Sequence, residues 1–244
     1  MNPDLFILAG YGKILKQNII GIPKVMCVNL HSGKLPSYRG SSPMNWSLIK
    51  GEKSFTLSVI KIDSGVDTGD LLCERTFPVK INDTIRDLHK IANKEFPLML
   101  EETIGNIERG SCRPEQQAKN NISYYPLRFP HDGLILWDIF TAGEIHNRIR
   151  ALTEPYPCAY TFYNDRKVRL ISSELWRYPY YGEPGCIYMK DKEGLLICAL
   201  DRCLLIKEAC FEDTKESLYD VVNRYDRMAT VRGSVEKTFF KKSK

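Results

Sequence analysis

Short apolar runs alternate with Gly- and Pro-rich turns through the first part of the chain. Asp4-Leu5-Phe6-Ile7-Leu8-Ala9 stops at Gly10-Tyr11-Gly12, the pattern of a buried strand entering a tight turn. Lys13–Ile20 has the character of a short helix, ended by Gly21-Ile22-Pro23. A second continuous apolar run, Val25–Leu30, delivers Asn29 and His31 at its carboxyl end, where open α/β sheets bind ligands. Ser42 and Pro43 are the expected N-cap and first position of a helix that carries Trp46, Leu48 and Ile49 and stops at Gly51. Phe55–Ile62 alternates as a strand, and Asp63–Gly69 forms a loop on the next crossover. Leu71–Val79 reads as a further strand. Asn82-Asp83 caps a long helix through Ile107, with a stripe that includes Ile85, Leu88, Ala92, Met99 and Ile104 and an expected kink at Pro97.

Residues 111–123 are polar and lack periodicity, and read as a linker. The texture then changes. Thr141-Ala142-Gly143-Glu144 is a capping box that opens a helix through Leu152. Five short strands at even spacing follow: Ala159–Tyr163, Val168–Leu175, Cys186–Met189, Leu195–Leu200 and Cys203–Ile206. They predict a small open antiparallel barrel of OB type. The expected organisation is an α/β domain over 1–115 with a partial Rossmann-like sheet, a barrel over 124–211, and a charged tail over 212–244.

Charge refines this picture without redirecting it. The net charge of +5 is a weak bias. Residues 116–215 carry thirteen basic and thirteen acidic side chains, so the second domain is neutral. The eight cysteines show no C-x-x-C and no zinc-like spacing, which predicts buried free thiols in a reducing, cytoplasmic setting and no metal site. No apolar run approaches the length that spans a bilayer.

The candidate chemistry lies between Asn29 and Asp70. Asn29 and His31 are two residues apart on one strand and face the same side. Asp67 sits in a loop flanked by Gly65 and Gly69, which permit sharp turns and close backbone approach. An amide, an imidazole and a carboxylate converging on one point suit acyl transfer: the carboxylate sets the histidine tautomer and raises its pKa, and the amide donates to a developing oxyanion. Neither Ser nor Cys is placed as a nucleophile, which favours direct attack by the substrate. Spacing alone leaves alternatives open: a strand-end cap for Asn29, a satisfied loop histidine for His31, a turn residue for Asp67. His89 and His146 read as structural, and His131 as a turn residue.

The string Asn29-x-His31, Pro36-x-Tyr38-Arg39-Gly40-x2-Pro43, then Asp63-x-Gly65-x-Asp67-Thr68-Gly69-Asp70-x-Leu72, resembles the formyltransferases that use 10-formyltetrahydrofolate. The resemblance implies a catalytic set of Asn29, His31 and Asp67. It implies a folate pocket formed by Ala9, Gly10, Tyr11 and Gly12 with the Asp63–Asp70 loop, including Gly65 and Val66. It assigns Lys34, Tyr38, Arg39 and Arg128 to the substrate, Arg128 as a phosphate contact or equally a structural ion pair. The implied cosubstrate is 10-formyltetrahydrofolate, with no metal. The His31-Ser32-Gly33-Lys34-Leu35-Pro36 variant is similar to sugar N-formyltransferases of O-antigen and capsule pathways. Together with the neutral second domain, it favours a nucleotide-linked amino sugar over initiator tRNA, whose phosphates call for a basic face. The expected partners are that small molecule and a second copy of the chain, with neither nucleic acid nor membrane. Methionyl-tRNA formylation and a non-catalytic folate- or nucleotide-binding remnant are the alternatives. Members of the family begin with further βα units, roughly 80 residues on the size of such units. The expectation is therefore a truncated chain, or a natural fragment completed by a partner, that is poorly soluble or inactive alone.

Overall fold

The computed structural model describes residues 2–233. The chain divides into two compact units. The first comprises the residues up to Ser47, Glu52–Ile81 and Asp87–Arg128; the second comprises Leu48–Gly51, Asn82–Arg86 and the residues from Phe129 on.

The first unit is built on a four-stranded sheet. Its elements in chain order are β1 (Leu5–Ala9), α1 (Gln17–Ile20), β2 (Met26–His31), β3 (Arg39–Gly40), α2 (Pro43–Ile49), β4 (Ser54–Lys61), β5 (Leu71–Pro78), α3 (Ile85–Glu108) and β6 (Tyr124–Tyr125). The sheet order is β1-β2-β4-β5. β1 and β2 run parallel, whereas β2–β4 and β4–β5 are antiparallel. The sheet is therefore mixed, and the Asp63–Gly69 loop joins a β4–β5 hairpin instead of forming part of a crossover. β4 is buried at six successive positions, Phe55–Ile60, so both its faces are covered although its sequence alternates, and the polar Thr56 and Ser58 are buried with the rest. Arg75 of β5 forms ion pairs with Glu95 and Glu102 of α3, at 3.0 and 2.7 Å.

Three local expectations change. The helix expected over Lys13–Ile20 contracts to α1, whose N-cap Lys16 makes no side-chain capping bond. Without a capping acceptor, the nucleation cost of so short a helix is not offset along its whole length. Ser42 has φ +57°, not the extended backbone of an ordinary N-cap, although its carbonyl accepts from Trp46 N at 3.1 Å. The polar stretch 111–123 is not a linker. Glu115 and Leu71 exchange backbone hydrogen bonds at 2.8 and 2.9 Å, and β6 pairs in parallel with β3. The segment is held by hydrogen bonds and not by an apolar face, so it carries no hydrophobic periodicity.

The second unit contains α4 (Ala142–Leu152), β7 (Ala159–Tyr163), β8 (Arg166–Glu174), β9 (Ile187–Asp191), β10 (Gly194–Cys198), β11 (Cys203–Phe211) and α5 (Leu218–Val221). Its antiparallel sheet has the order β7-β8-β11-β10-β9. The capping box is present: Thr141 Oγ1 accepts from Glu144 N, and the Glu144 carboxylate accepts from Thr141 N and Oγ1. Ile145 and Ile149 of α4 are fully buried, and the helix packs on β7, β8 and β11. Trp137 is also fully buried and donates to Thr161 Oγ1 at 3.1 Å. Cys198 and Cys203 lie opposite each other on β10 and β11, and both are buried.

The expected charged tail is also corrected, as far as residue 233. Leu218, Val222 and Met228 are buried. Ile187 of β9 bonds to Tyr225 N and Asp226 O, Gly185 O accepts from Met228 N, and Phe162 O of β7 accepts from Ala229 N. The segment thus runs from one end strand of the sheet to the other and satisfies backbone groups on both. Its apolar residues are too widely spaced among charges to announce this role. The Lys241-Lys242-Ser243-Lys244 end lies outside the described residues.

Candidate active site

β2 sets the first two groups of the site. Asn29 pairs with Ile60 and His31 with Ser58 across the β2–β4 ladder, so both side chains share one face of the strand. His31 is 5% exposed. Its Nε2 donates to the backbone carbonyl of Tyr38 at 2.6 Å. A carbonyl only accepts, so Nε2 carries a proton, and Nδ1 is the nitrogen turned toward Asp67 Oδ2 at 3.6 Å. The loop over residues 33–38 is packed tightly enough to hold this arrangement. A Cβ on Gly33 would come within 2.8 Å of His31 Nε2, Pro43 and Tyr38. Ser58 Oγ donates to Gly33 O at 2.9 Å.

Asp67 comes from further along the chain. The hairpin loop leaves the sheet beside Cys27, whose carbonyl accepts from Ile62 N. The loop then folds back so that Asp67 meets β2. Asp63 Oδ1 accepts from Gly65 N and Thr68 Oγ1 at 3.0 and 2.5 Å, closing the turn. Gly69 packs so closely on the carbonyl of Lys61 that any Cβ there would overlap it. Asp67 itself has φ +52°, the left-handed region. Its Oδ2 accepts from Gly40 N at 2.8 Å and its Oδ1 from Asn29 Nδ2 at 3.5 Å. One carboxylate therefore touches the amide, faces the imidazole and is anchored by a backbone N–H.

A cavity of about 380 Å³ opens over these groups, within the size range of small-molecule sites. Asn29, His31 and Asp67 line it. So do Gly10, Tyr11 and Gly12 after β1, and Asp63, Gly65 and Val66 from the loop. Ala9 and Asp70 do not: Ala9 pairs with Leu30 inside the sheet, and Asp70 uses its carbonyl to accept from Lys61 N.

The residues assigned to the substrate stand apart from this cavity. Lys34 is exposed and acts on Glu74, whose carboxyl is pushed up by burial and drawn down by the Lys34 charge. Tyr38 is buried, stacked on Tyr125 with ring centres 4.8 Å apart, and donates to Glu52 Oε1 at 2.8 Å. Burial, then the Glu52 carboxylate, raises its phenol pKa. Arg39 is 7% exposed and donates to Gln117 and Tyr124. The Arg128 guanidinium lies over the Trp46 ring at 4.7 Å.

Sequence reasoning missed Gln117, the Gly40 N–H and the Tyr38 carbonyl. The last two are backbone groups with no side-chain signature, and Gln117 lies in the stretch read as a linker. Among the described residues, no cluster of three His, Cys, Asp or Glu is placed to hold a metal, and no helix is long and apolar enough to cross a membrane.

Comparison with known proteins adds independent information. A family model described as "Formyl transferase" matches residues 1–103, and one described as "Formyl transferase, C-terminal domain" matches residues 129–225. A methionyl-tRNA formyltransferase of Caldanaerobacter subterraneus subsp. tengcongensis is 34% identical over 217 residues, covering 88% of this chain and 69% of that protein. Among solved structures, HypX from Aquifex aeolicus has a TM-score of 0.66 at 21% identity, covering 98% of this chain and 41% of HypX. The chain thus spans less than half of HypX. An N-formyltransferase from Helicobacter canadensis, solved with folinic acid and dTDP-3-aminofucose, has a TM-score of 0.65 at 23% identity, covering 83% of this chain and 72% of that one.

Proposed function

We propose the function of this chain from one premise: it belongs to the formyltransferase family. On our reading it transfers a formyl group from 10-formyltetrahydrofolate to a primary amine. The observation that carries this is the convergence of Asn29, His31 and Asp67 on one cavity, with Asp67 touching Asn29 at 3.5 Å and His31 at 3.6 Å. The folate lies in the cavity between the Gly10–Gly12 turn and the Asp63–Val66 side of the loop. The incoming amine attacks the formyl carbon on N10, forming a C–N bond and a tetrahedral oxyanion. An N–H of Asn29 donates to that oxygen, and His31, its Nε2–H committed to Tyr38, presents Nδ1 beside Asp67. Asp67 accepts the proton released by the attacking nitrogen. The C–N10 bond then breaks, N10 takes up a proton, and the products are the formamide and tetrahydrofolate. The chain's own residues supply donors and a base, and no covalent enzyme intermediate is required.

For the amine, we propose a nucleotide-linked amino sugar. The Gly33-Lys34-Leu35-Pro36 variant and the balanced charge of residues 116–215 support it. Methionyl-tRNA is the second reading, supported by the methionyl-tRNA formyltransferase at 34% identity. The deciding experiment incubates the chain and 10-formyltetrahydrofolate with dTDP-, UDP- and GDP-amino sugars and with methionyl-tRNA, reading formylated product by mass. A formylated sugar that disappears in His31→Ala supports the first reading, and formylmethionyl-tRNA supports the second. Folate binding that is lost altogether, with His31→Ala indistinguishable from the parent, points to a non-catalytic remnant.

A further inference from the structure

We propose that Gln117, oriented by Arg39, is a positioning residue that holds Asp67 in its working geometry; this rests on the reading of Asp67 as the base. Asp67 occupies the left-handed region, which Asp tolerates at modest cost, so contacts around it help to hold it there as a constraint. Gln117 supplies that constraint. Its Nε2 donates to two carbonyls of the loop, Asp67 O and Gly69 O, both at 2.8 Å. These bonds straddle Thr68 and clamp the backbone on either side of it, leaving the Asp67 carboxylate directed at Asn29 and Gly40.

The orientation of that amide is itself determined. Gln117 Oε1 accepts from Arg39 Nε at 3.1 Å and Nη2 at 2.7 Å. Rotating the amide by half a turn would set its NH2 against a guanidinium and its oxygen against two carbonyls, which is unfavourable at every contact. The third arm of Arg39, Nη1, donates to Tyr124 Oη at 2.9 Å. Arg39 is buried and is itself part of β3, which pairs with β6 through Arg39–Tyr124 and Gly40–Tyr125, so the clamp stands on paired strands. The chain Tyr124–Arg39–Gln117–Asp67 thus passes order from the paired strands to the base. Every donor and acceptor of the Gln117 amide is used within it.

This geometry requires glutamine and not merely a polar side chain of that length. Glutamate in its place would keep the shape and gain an ion pair with Arg39. It would lose both donors and set a carboxylate oxygen against Asp67 O and Gly69 O. A purely structural role predicts that Gln117→Glu lowers stability and leaves kcat unchanged, whereas a positioning role predicts a fall in kcat.

The test compares the full chain with Gln117→Glu, using the amine that the substrate panel identifies. The expected result is a kcat lower by roughly 10- to 100-fold in a protein that remains folded, with the KM for the folate held at the parental value, as for a misplaced catalytic group. Amide exchange gives a readout independent of turnover. The Gly40 N–H, bonded to Asp67 Oδ2, should exchange faster in Gln117→Glu, while the Leu205 amide of β11 exchanges as in the parent. Parental kcat in Gln117→Glu overturns the proposal, and so does an unchanged Gly40 exchange rate. If Asp67→Ala transfers formyl groups as well as the parent, the reading of Asp67 as the base fails instead, and the exchange measurement still decides whether Gln117 holds the loop.

Discussion

Replacing Asp67 with asparagine probes the proposed chemistry with little change in shape. The amide keeps one oxygen, which can stay at the Oδ2 position and accept from Gly40 N as the native carboxylate does at 2.8 Å. That bond changes from charge-assisted to neutral, a loss of about 1 kcal/mol, small beside the roughly 5–15 kcal/mol that stabilises a domain. The new NH2 then takes the Oδ1 position, where it meets the Asn29 Nδ2 donor at 3.5 Å. Two donors cannot satisfy each other, so Asn29 must turn its own amide and present an oxygen. The base is lost, and the oxyanion donor is turned as a consequence. Loss of a general base costs about 10²- to 10⁴-fold, or about 2.7–5.5 kcal/mol in transition-state stabilisation. The coupled rotation of Asn29 places the expected effect toward the upper end. The assay is steady-state formyl transfer, with the melting temperature as a control for folding. A folded Asp67→Asn protein whose kcat stays within about threefold of the parent would refute the reasoning, because a base and a donor cannot both be lost at so small a cost.

Gly69→Ala forces its Cβ into the Lys61 carbonyl, so the loop must move; formyl transfer should fall sharply, with about 1–3 kcal/mol lost in denaturant titration. Met228→Ala removes a side chain only 3% exposed, and should cost about 2–5 kcal/mol by the same titration; a change near zero would mean that the segment after β11 is not part of the core. Thr141→Ala should cost about 1 kcal/mol through loss of the α4 cap. The Glu144 carboxyl lies below its usual pKa, first because Thr141 N–H donates to it and then because the Thr141 hydroxyl does. A depressed folded pKa stabilises above the ordinary glutamate value of about 4.3 and is lost as pH falls through the folded value. The difference in melting temperature between the parent and Glu144→Gln should therefore be present near neutrality and close as the pH falls below about 4.

Much of this protein is legible in its sequence. Local rules act over a few residues, and where they alone decide the outcome the reading matches the structure. Thr141 and Glu144 announce α4, Asn164 and Asp165 take the left-handed angles that turn β7 into β8, alternation marks β4, and the apolar runs mark β2 and also β1, which is half-exposed at the sheet edge and not buried as its run suggests. Strand alternation alone put Asn29 and His31 on one face.

Tertiary structure decided what no window of sequence contains. It returned a hairpin loop from Cys27 to meet Asn29 and His31, which made Asp67 part of the site. It turned Arg39 inward to Gln117 and away from the cavity, and it bound the polar stretch after α3 into the first unit through Glu115 and Gln117. It carried the residues after β11 along the end strands of the second sheet. These outcomes share a cause. They rest on hydrogen bonds between groups far apart in the chain, many of them backbone groups, and such bonds leave neither a hydrophobic period nor a residue type to read. The sequence alone determined which chemical groups were available and which elements would present them. Long-range pairing determined which of those groups meet, and in what orientation.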